Sequence, residues 1–203
     1  MLQATDPPLV LASGSVARSG LLRAAGLHFE ALPAEIDEAT IRWRERTCGR
    51  TAGEAALTLA LAKAEVVAGR RRDALVIGAD QILACGDAWY DKPADLPAAR
   101  DQLCRLRGRE HVLATGVVLV GRSGVLFRHL AQPRLRMRAF SDGFLDDYLA
   151  AEGATVLGSV GCYRLEGVGL LLFDAVEGEH GAVLGLPMLA LLEALRRMGV
   201  LAT

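Results

Sequence analysis

The run Gly78-Ala79-Asp80-Gln81 closes an apolar stretch, Ala74-Leu75-Val76-Ile77, and Asp91-Lys92-Pro93 follows it. A carboxylate fixed at the mouth of a buried strand can hold Mg²⁺ or take a proton from water. A lysine soon afterwards can neutralise phosphate oxygens. These are the side chains that metal-assisted phosphate chemistry needs. Taken alone, the pattern also describes an ordinary strand end whose Asp caps a turn.

Four further groups of residues could join them. Leu11-Ala12-Ser13-Gly14-Ser15 with Arg18 reads as a strand, a Ser/Gly loop and a helix start. Free N–H groups there suit a phosphate, and Arg18 could fork onto its oxygens; a simple cap plus a surface arginine fits equally. Lys63 sits between Ala62 and Ala64 on an apolar helix, where it would either snorkel to water or act as another cation near a polyphosphate. The acids Asp37-Glu38, taken with Asp80, could share a metal or divide metal binding from base duty; the alternative is an exposed acidic loop. All-oxygen ligands would favour Mg²⁺ or Mn²⁺. Gly161-Cys162-Tyr163-Arg164-Leu165-Glu166-Gly167 and Val183-Leu184-Gly185-Leu186-Pro187 read either as close backbone approach to a ligand or as turn-rich structure.

The elements that must position these residues alternate early. A strand over Leu9–Leu11 leads to a helix ending near Ala25 and closed by Gly26. A short strand over Phe29–Leu32 is followed by the acidic loop, a helix from Glu54 to Gly69, and a strand from Ala74 to Ala79. Asp95 caps a helix with Pro97 in its first turn. Val112–Gly121 and Val125–Arg138 then predict two long antiparallel strands joined at Arg122-Ser123-Gly124, with Arg134, Arg136 and Arg138 on one face. Ser141 caps a helix to Ala151, a Gly-rich region runs from Gly153 to Gly185, and a final helix spans Pro187–Met198. The expectation is an α/β fold with a mixed twisted sheet and flanking helices, one two-lobed domain over 1–203 around a central cleft.

Composition narrows the classes. The chain has 203 residues, 52% of them hydrophobic, and 23 basic residues against 24 acidic ones give a net charge of -1. A general nucleic-acid binder would carry a basic excess, and 5% aromatics leave little for base stacking. Arg70-Arg71-Arg72 reads as a solvated helix end. No apolar run approaches a bilayer span and no secretory leader is visible, so no membrane partner and a cytoplasmic location are expected. Cys48, Cys85, Cys104 and Cys162 form no CxxC pair, and His28, His111, His129 and His180 show no zinc spacing.

In this order, the motifs resemble the Maf family of nucleoside triphosphate pyrophosphatases. The runs that carry the likeness are Leu11-Ala12-Ser13-x-Ser15 with Arg18 and Leu21-Leu22; Ile36-Asp37-Glu38; Leu61-Ala62-Lys63-Ala64; Gly78-Ala79-Asp80-Gln81; Asp91-Lys92-Pro93; Leu106-x-Gly108-Arg109 with His111; and Gly185-Leu186-Pro187. They span about residues 8 to 200. The resemblance implies a Maf/ITPase-like fold and hydrolysis between the α and β phosphates, with a divalent metal, Mg²⁺ or Mn²⁺. It implies Asp80 as proton acceptor, Glu38 and Asp80 at the metal, Ser13, Arg18, Lys63 and Lys92 on the phosphates, and Gln81 beside the base. It also implies a homodimer. Within the family, one branch acts on dTTP and UTP and usually has arginine where this chain has Ala17 and glutamine where it has Glu166. Tyr163-Arg164-Leu165-Glu166-Gly167 is closer to the branch acting on 7-methyl-GTP, and a Glu166 carboxylate would accept from guanine N1–H and N2–H₂. Val16, Ala17 and Gly20 depart from both branches. A non-catalytic regulator of septum formation is the reading from a different class; it would need no intact Asp80, Lys63 and Lys92.

Overall fold

The computed structural model describes residues 2–202. The chain gathers into two compact units, one of Met1–Gln81, Thr115–Ala131 and Glu179–Thr203, the other of Ile82–Ala114 and Gln132–Gly178. Two long strands, β3 (Leu75–Cys85) and β5 (Glu110–Gly121), run through both, so the units are not sequential along the chain.

In the first unit β1 (Leu9–Leu11) pairs in parallel with β2 (Glu30–Ala31) and with β3, in register Val10↔Glu30 and Val10↔Val76. The strand order is β2-β1-β3-β5, and β6 (Gly124–Ala131) pairs antiparallel to β5 through the Arg122-Ser123 turn. Successive side chains on a strand face opposite sides, which divides the core. Val76 and Ala74 join Val10, Ala12, Ala60, Ala64 and Val67 on the side of α3 (Ala52–Arg70). Leu75, Ile77 and Ala79 join Leu9, Leu11, Leu22 and Leu191 on the side of α1 (Val16–Ala24) and of the last helix, Met188–Arg197.

The α3 helix lies on the sheet at unusually short range, and two glycines permit it. A Cβ on Gly78 would stand 2.1 Å from the Ala60 carbonyl oxygen, and one on Gly116 would stand 3.0 Å from Ala56 backbone atoms. The facing residues of α3 are alanines for the same reason. Its start is fixed by a capping box: Thr51 Oγ1 accepts from the Glu54 amide at 3.2 Å and Glu54 accepts from the Thr51 amide at 2.8 Å.

In the second unit, β4 (Ala88–Tyr90) pairs antiparallel with the end of β3. Here β7 (Arg134–Met137) pairs antiparallel with the start of β5 and with β8 (Phe173–Glu177). Its helices are α4 (Leu96–Leu106) and α5 (Asp142–Glu152), with 3₁₀ turns at Gly153–Gly158 and Val168–Leu172.

Three expectations change. The acidic loop is the start of a helix, α2 (Glu38–Thr47): Asp37 is its N-cap, accepting from the Thr40 amide at 3.0 Å and the Thr40 hydroxyl at 2.7 Å. The long second hairpin strand is two strands, because Pro133 has no N–H to continue the ladder. The strand expected to stop at Ala79 continues to Cys85. The basic face of β7 is as expected, with its arginines outward and Leu135 and Met137 buried.

Candidate active site

The strand β3 delivers Asp80 two residues beyond Gly78, on the same face, against α3. Lys63 follows the Ala60 turn of α3 and meets it: Lys63 Nζ stands 2.6 Å from Asp80 Oδ1, with both side chains buried. The same ammonium stands 2.8 Å from Glu38 Oε1, which reaches in from the first residue of α2. A lysine on a helix packed this closely cannot snorkel to water. One cation therefore sits between two carboxylates.

The balance is uneven at the oxygen level. Asp80 Oδ2 is buried and accepts no hydrogen bond from any described residue. A carboxylate oxygen so placed is costly unless something else is brought to it. Glu38, at the cluster's more exposed edge, keeps Oε2 at 4.0 Å from Arg42, one turn along α2. Among the described residues no group of three His, Cys, Asp or Glu could enclose a metal. Two carboxylates are the donor set Mg²⁺ commonly uses when substrate phosphates and water complete its octahedron, so the residues present fit such an ion. Asp37 takes no part: Thr40 occupies both its oxygens and holds its carboxyl below the usual range.

The loop after β1 supplies the cationic side. Ser13 is buried, and its Oγ accepts from the Ser15 amide and from Arg18 Nη1, each at 3.2 Å. Ser15 caps α1, accepting from the Arg18 amide at 3.3 Å. Arg18 Nε donates to the Gly185 carbonyl at 2.8 Å. Burial lowers the Arg18 pKa, while the nearby charges of Asp80 and Glu38 oppose that shift; the guanidinium stays charged. Gly185 has φ +100°, and a Cβ there would stand 3.4 Å from Arg18 Nε. The glycine thus lets its own carbonyl face the arginine. The sequence placed Gly185 in a turn but did not show that it holds Arg18.

Gln81 faces the side of the sheet opposite to Asp80, as its neighbour on a strand must. Its Nε2 donates to Thr115 Oγ1 at 2.8 Å and to the carbonyls of Ala182 and Val183 at 3.0 and 3.1 Å. Those carbonyls belong to a short helix, His180–Val183, directly ahead of Gly185.

Ser13, Arg18, Glu38, Lys63, Asp80 and Gln81 all belong to the first unit. Lys92 and Glu166 belong to the second, both exposed, Lys92 between β4 and α4 and Glu166 in the turn before Val168; neither makes an ion pair among the described residues. His111, which entered as part of a motif and among the histidines without zinc spacing, is buried in the second unit, with Nε2 2.8 Å from the Tyr163 hydroxyl and Nδ1 without a partner among the described residues.

No helix among the described residues is long and apolar enough to cross a membrane. Residues 8–198 match the family described as Maf-like protein. The chain is 48% identical to a nucleoside triphosphate pyrophosphatase of Granulibacter bethesdensis, over 93% of this chain and 96% of the relative. It is 46% identical to a nucleoside triphosphate pyrophosphatase of Rhodospirillum rubrum, over 98% and 99%. It is 45% identical to a 7-methyl-GTP pyrophosphatase of Rhizobium meliloti, over 96% and 98%.

Proposed function

The chain belongs to the Maf-like protein family, and from that premise we propose that it hydrolyses nucleoside triphosphates between the α and β phosphates, releasing a monophosphate and pyrophosphate. The observation that carries the reading is the buried Lys63–Asp80 pair with one Asp80 oxygen left over. Asp80 takes a proton from the water that attacks the α phosphorus; the α–β bridging oxygen leaves with pyrophosphate. Lys63 neutralises charge on the phosphate oxygens, Arg18 and Ser13 hold the polyphosphate at the start of α1, and Lys92 adds a further cation. Charge spread over those oxygens in the transition state is what fixed cations stabilise. When bound through Asp80 and Glu38, Mg²⁺ or Mn²⁺ supplies further charge neutralisation to the phosphates.

For the base, Glu166 favours 7-methyl-GTP. Its carboxylate accepts from guanine N1–H and N2–H₂, and N7-methylation adds positive charge that a carboxylate attracts. Two curated relatives so named, from Rhizobium meliloti and Mesorhizobium japonicum, at 45% and 44% identity, support this choice.

The test is pyrophosphate release, counted against orthophosphate, from 7-methyl-GTP, GTP, CTP, UTP and dTTP with Mg²⁺ or Mn²⁺. Asp80→Asn should lower kcat by about 10²–10⁴-fold, the range for loss of a general base. Orthophosphate as the main product, or an Asp80→Asn enzyme as fast as the parent, would refute the reaction. Glu166→Gln should move preference toward UTP and dTTP; unchanged relative kcat/KM would refute the Glu166 assignment alone.

A further inference from the structure

Thr115 is fully buried on β5, on the same face of the sheet as Gln81. Its hydroxyl donates to the Ala182 carbonyl at 2.9 Å and accepts from Gln81 Nε2 at 2.8 Å. Because that hydroxyl has spent its proton on Ala182, it can only accept from Gln81. The Ala182 and Val183 carbonyls can only accept as well. The Gln81 amide therefore has one permitted orientation. Turned over, its oxygen would face three acceptors. In the permitted orientation Oε1 makes no hydrogen bond with any described residue, and Gln81 is only partly buried. The Ala182 carbonyl also receives the Gly185 amide at 3.1 Å, and the Gly185 carbonyl in turn holds Arg18. The acceptor is thus anchored on the same turn as the arginine assigned to the phosphates.

We propose that Thr115 is a positioning residue that fixes Gln81 with Oε1 as an outward acceptor, so that the site selects a base edge presenting N–H donors. This rests on the nucleotide reading above and deepens it. Guanine's exocyclic N2 carries two N–H groups, so one remains for Oε1 beside the N1–H and N2–H pair already assigned. Hypoxanthine lacks that amine. Uracil has one N–H flanked by two carbonyls, which an acceptor repels. The expected order of kcat/KM is GTP, then ITP, then UTP.

Two measurements separate this from a merely structural role. Thr115→Val keeps the shape but removes one of the three acceptors that hold Nε2, loosening the amide while the Ala182 and Val183 carbonyls remain; the GTP-to-UTP ratio should fall about five- to tenfold, as loss of one oriented hydrogen bond implies. Thr115→Ser restores the hydroxyl and should keep the ratio within about twofold of the parent. An equal loss on all three substrates in Thr115→Val, or UTP leading in the parent, would overturn the proposal. Independently of activity, the Gln81 side-chain NH₂ in ¹⁵N-labelled protein should exchange slowly with solvent, and measurably faster in Thr115→Val. A fast-exchanging NH₂ in an active parent overturns the proposal and leaves the reaction standing. A slow one in a protein that releases no pyrophosphate overturns the reaction and the base selection while upholding the orientation.

Discussion

Lys63 and Asp80 in the first unit, and His111 with Tyr163 in the second, are polar groups held away from water, yet the first pair sets a lysine against carboxylates and the second has no carboxylate beside it among the described residues. Lys63 has a carboxylate at 2.6 Å and another at 2.8 Å. Among the described residues His111 has no opposite charge against it, with Tyr163 and the Phe173 ring beside it, and burial pulls its imidazole down to about 4. Burial likewise pushes the Tyr163 phenol upward, so it too stays neutral. Desolvating a charge costs several kcal/mol unless a partner offsets it. A fold that needed only rigidity would use the neutral solution in both places. Each cluster leaves one buried polar atom without a described partner, Asp80 Oδ2 in the first and His111 Nδ1 in the second; only the first is a carboxylate oxygen, the atom type that can take a proton from water or hold a hard cation.

Removing the cation gives the largest effect and is the sharpest way to break that contrast. Lys63→Met leaves Asp80 and Glu38 facing each other without their shared counter-charge. The expected destabilisation is about 3–5 kcal/mol, the range for breaking a buried pair by deleting one partner. Adding Asp80→Asn should recover most of that loss in urea denaturation while activity stays absent. If Lys63→Met costs under about 1 kcal/mol, the cluster is hydrated in solution and the comparison collapses.

The contrast also marks what could be read from the chain. Asp80 and Lys63 were legible because each interrupts an apolar run, and the Gly78 spacing that brings them together lies in the same short motif. The α/β alternation of the first unit was legible from period and caps. The α2 helix was not, because it has no buried residue and hence no apolar stripe; its signal was local, Asp37 with Thr40 three residues on. The break at Pro133 was written in the proline but outweighed by the regular alternation of Arg134, Arg136 and Arg138 around it. The backbone partners of Arg18 and Gln81 were beyond reach for a different reason. Gly185 and Ala182 are joined to them through backbone carbonyls, and a carbonyl carries no residue identity.

The neutral pair yields the smaller effect, and its sign tests the comparison from the other side. An unfolded chain binds a proton at His111 near pH 6.5, whereas the folded protein resists it until about pH 4. Between those values the unfolded state carries more protons, so stability falls as pH falls, by about 1.4 kcal/mol per pH unit. From pH 7 to pH 4.5 the loss attributable to His111 is about 2.5 kcal/mol. His111→Gln does not titrate, and its amide can still reach the Tyr163 hydroxyl. Its stability should fall less steeply over that range by this amount, and the carboxylates common to both proteins cancel in the difference. Equal slopes for the two proteins would mean that His111 takes up its proton while folded, with a counter-charge or water beside Nδ1, and the second cluster would then be a charged site like the first.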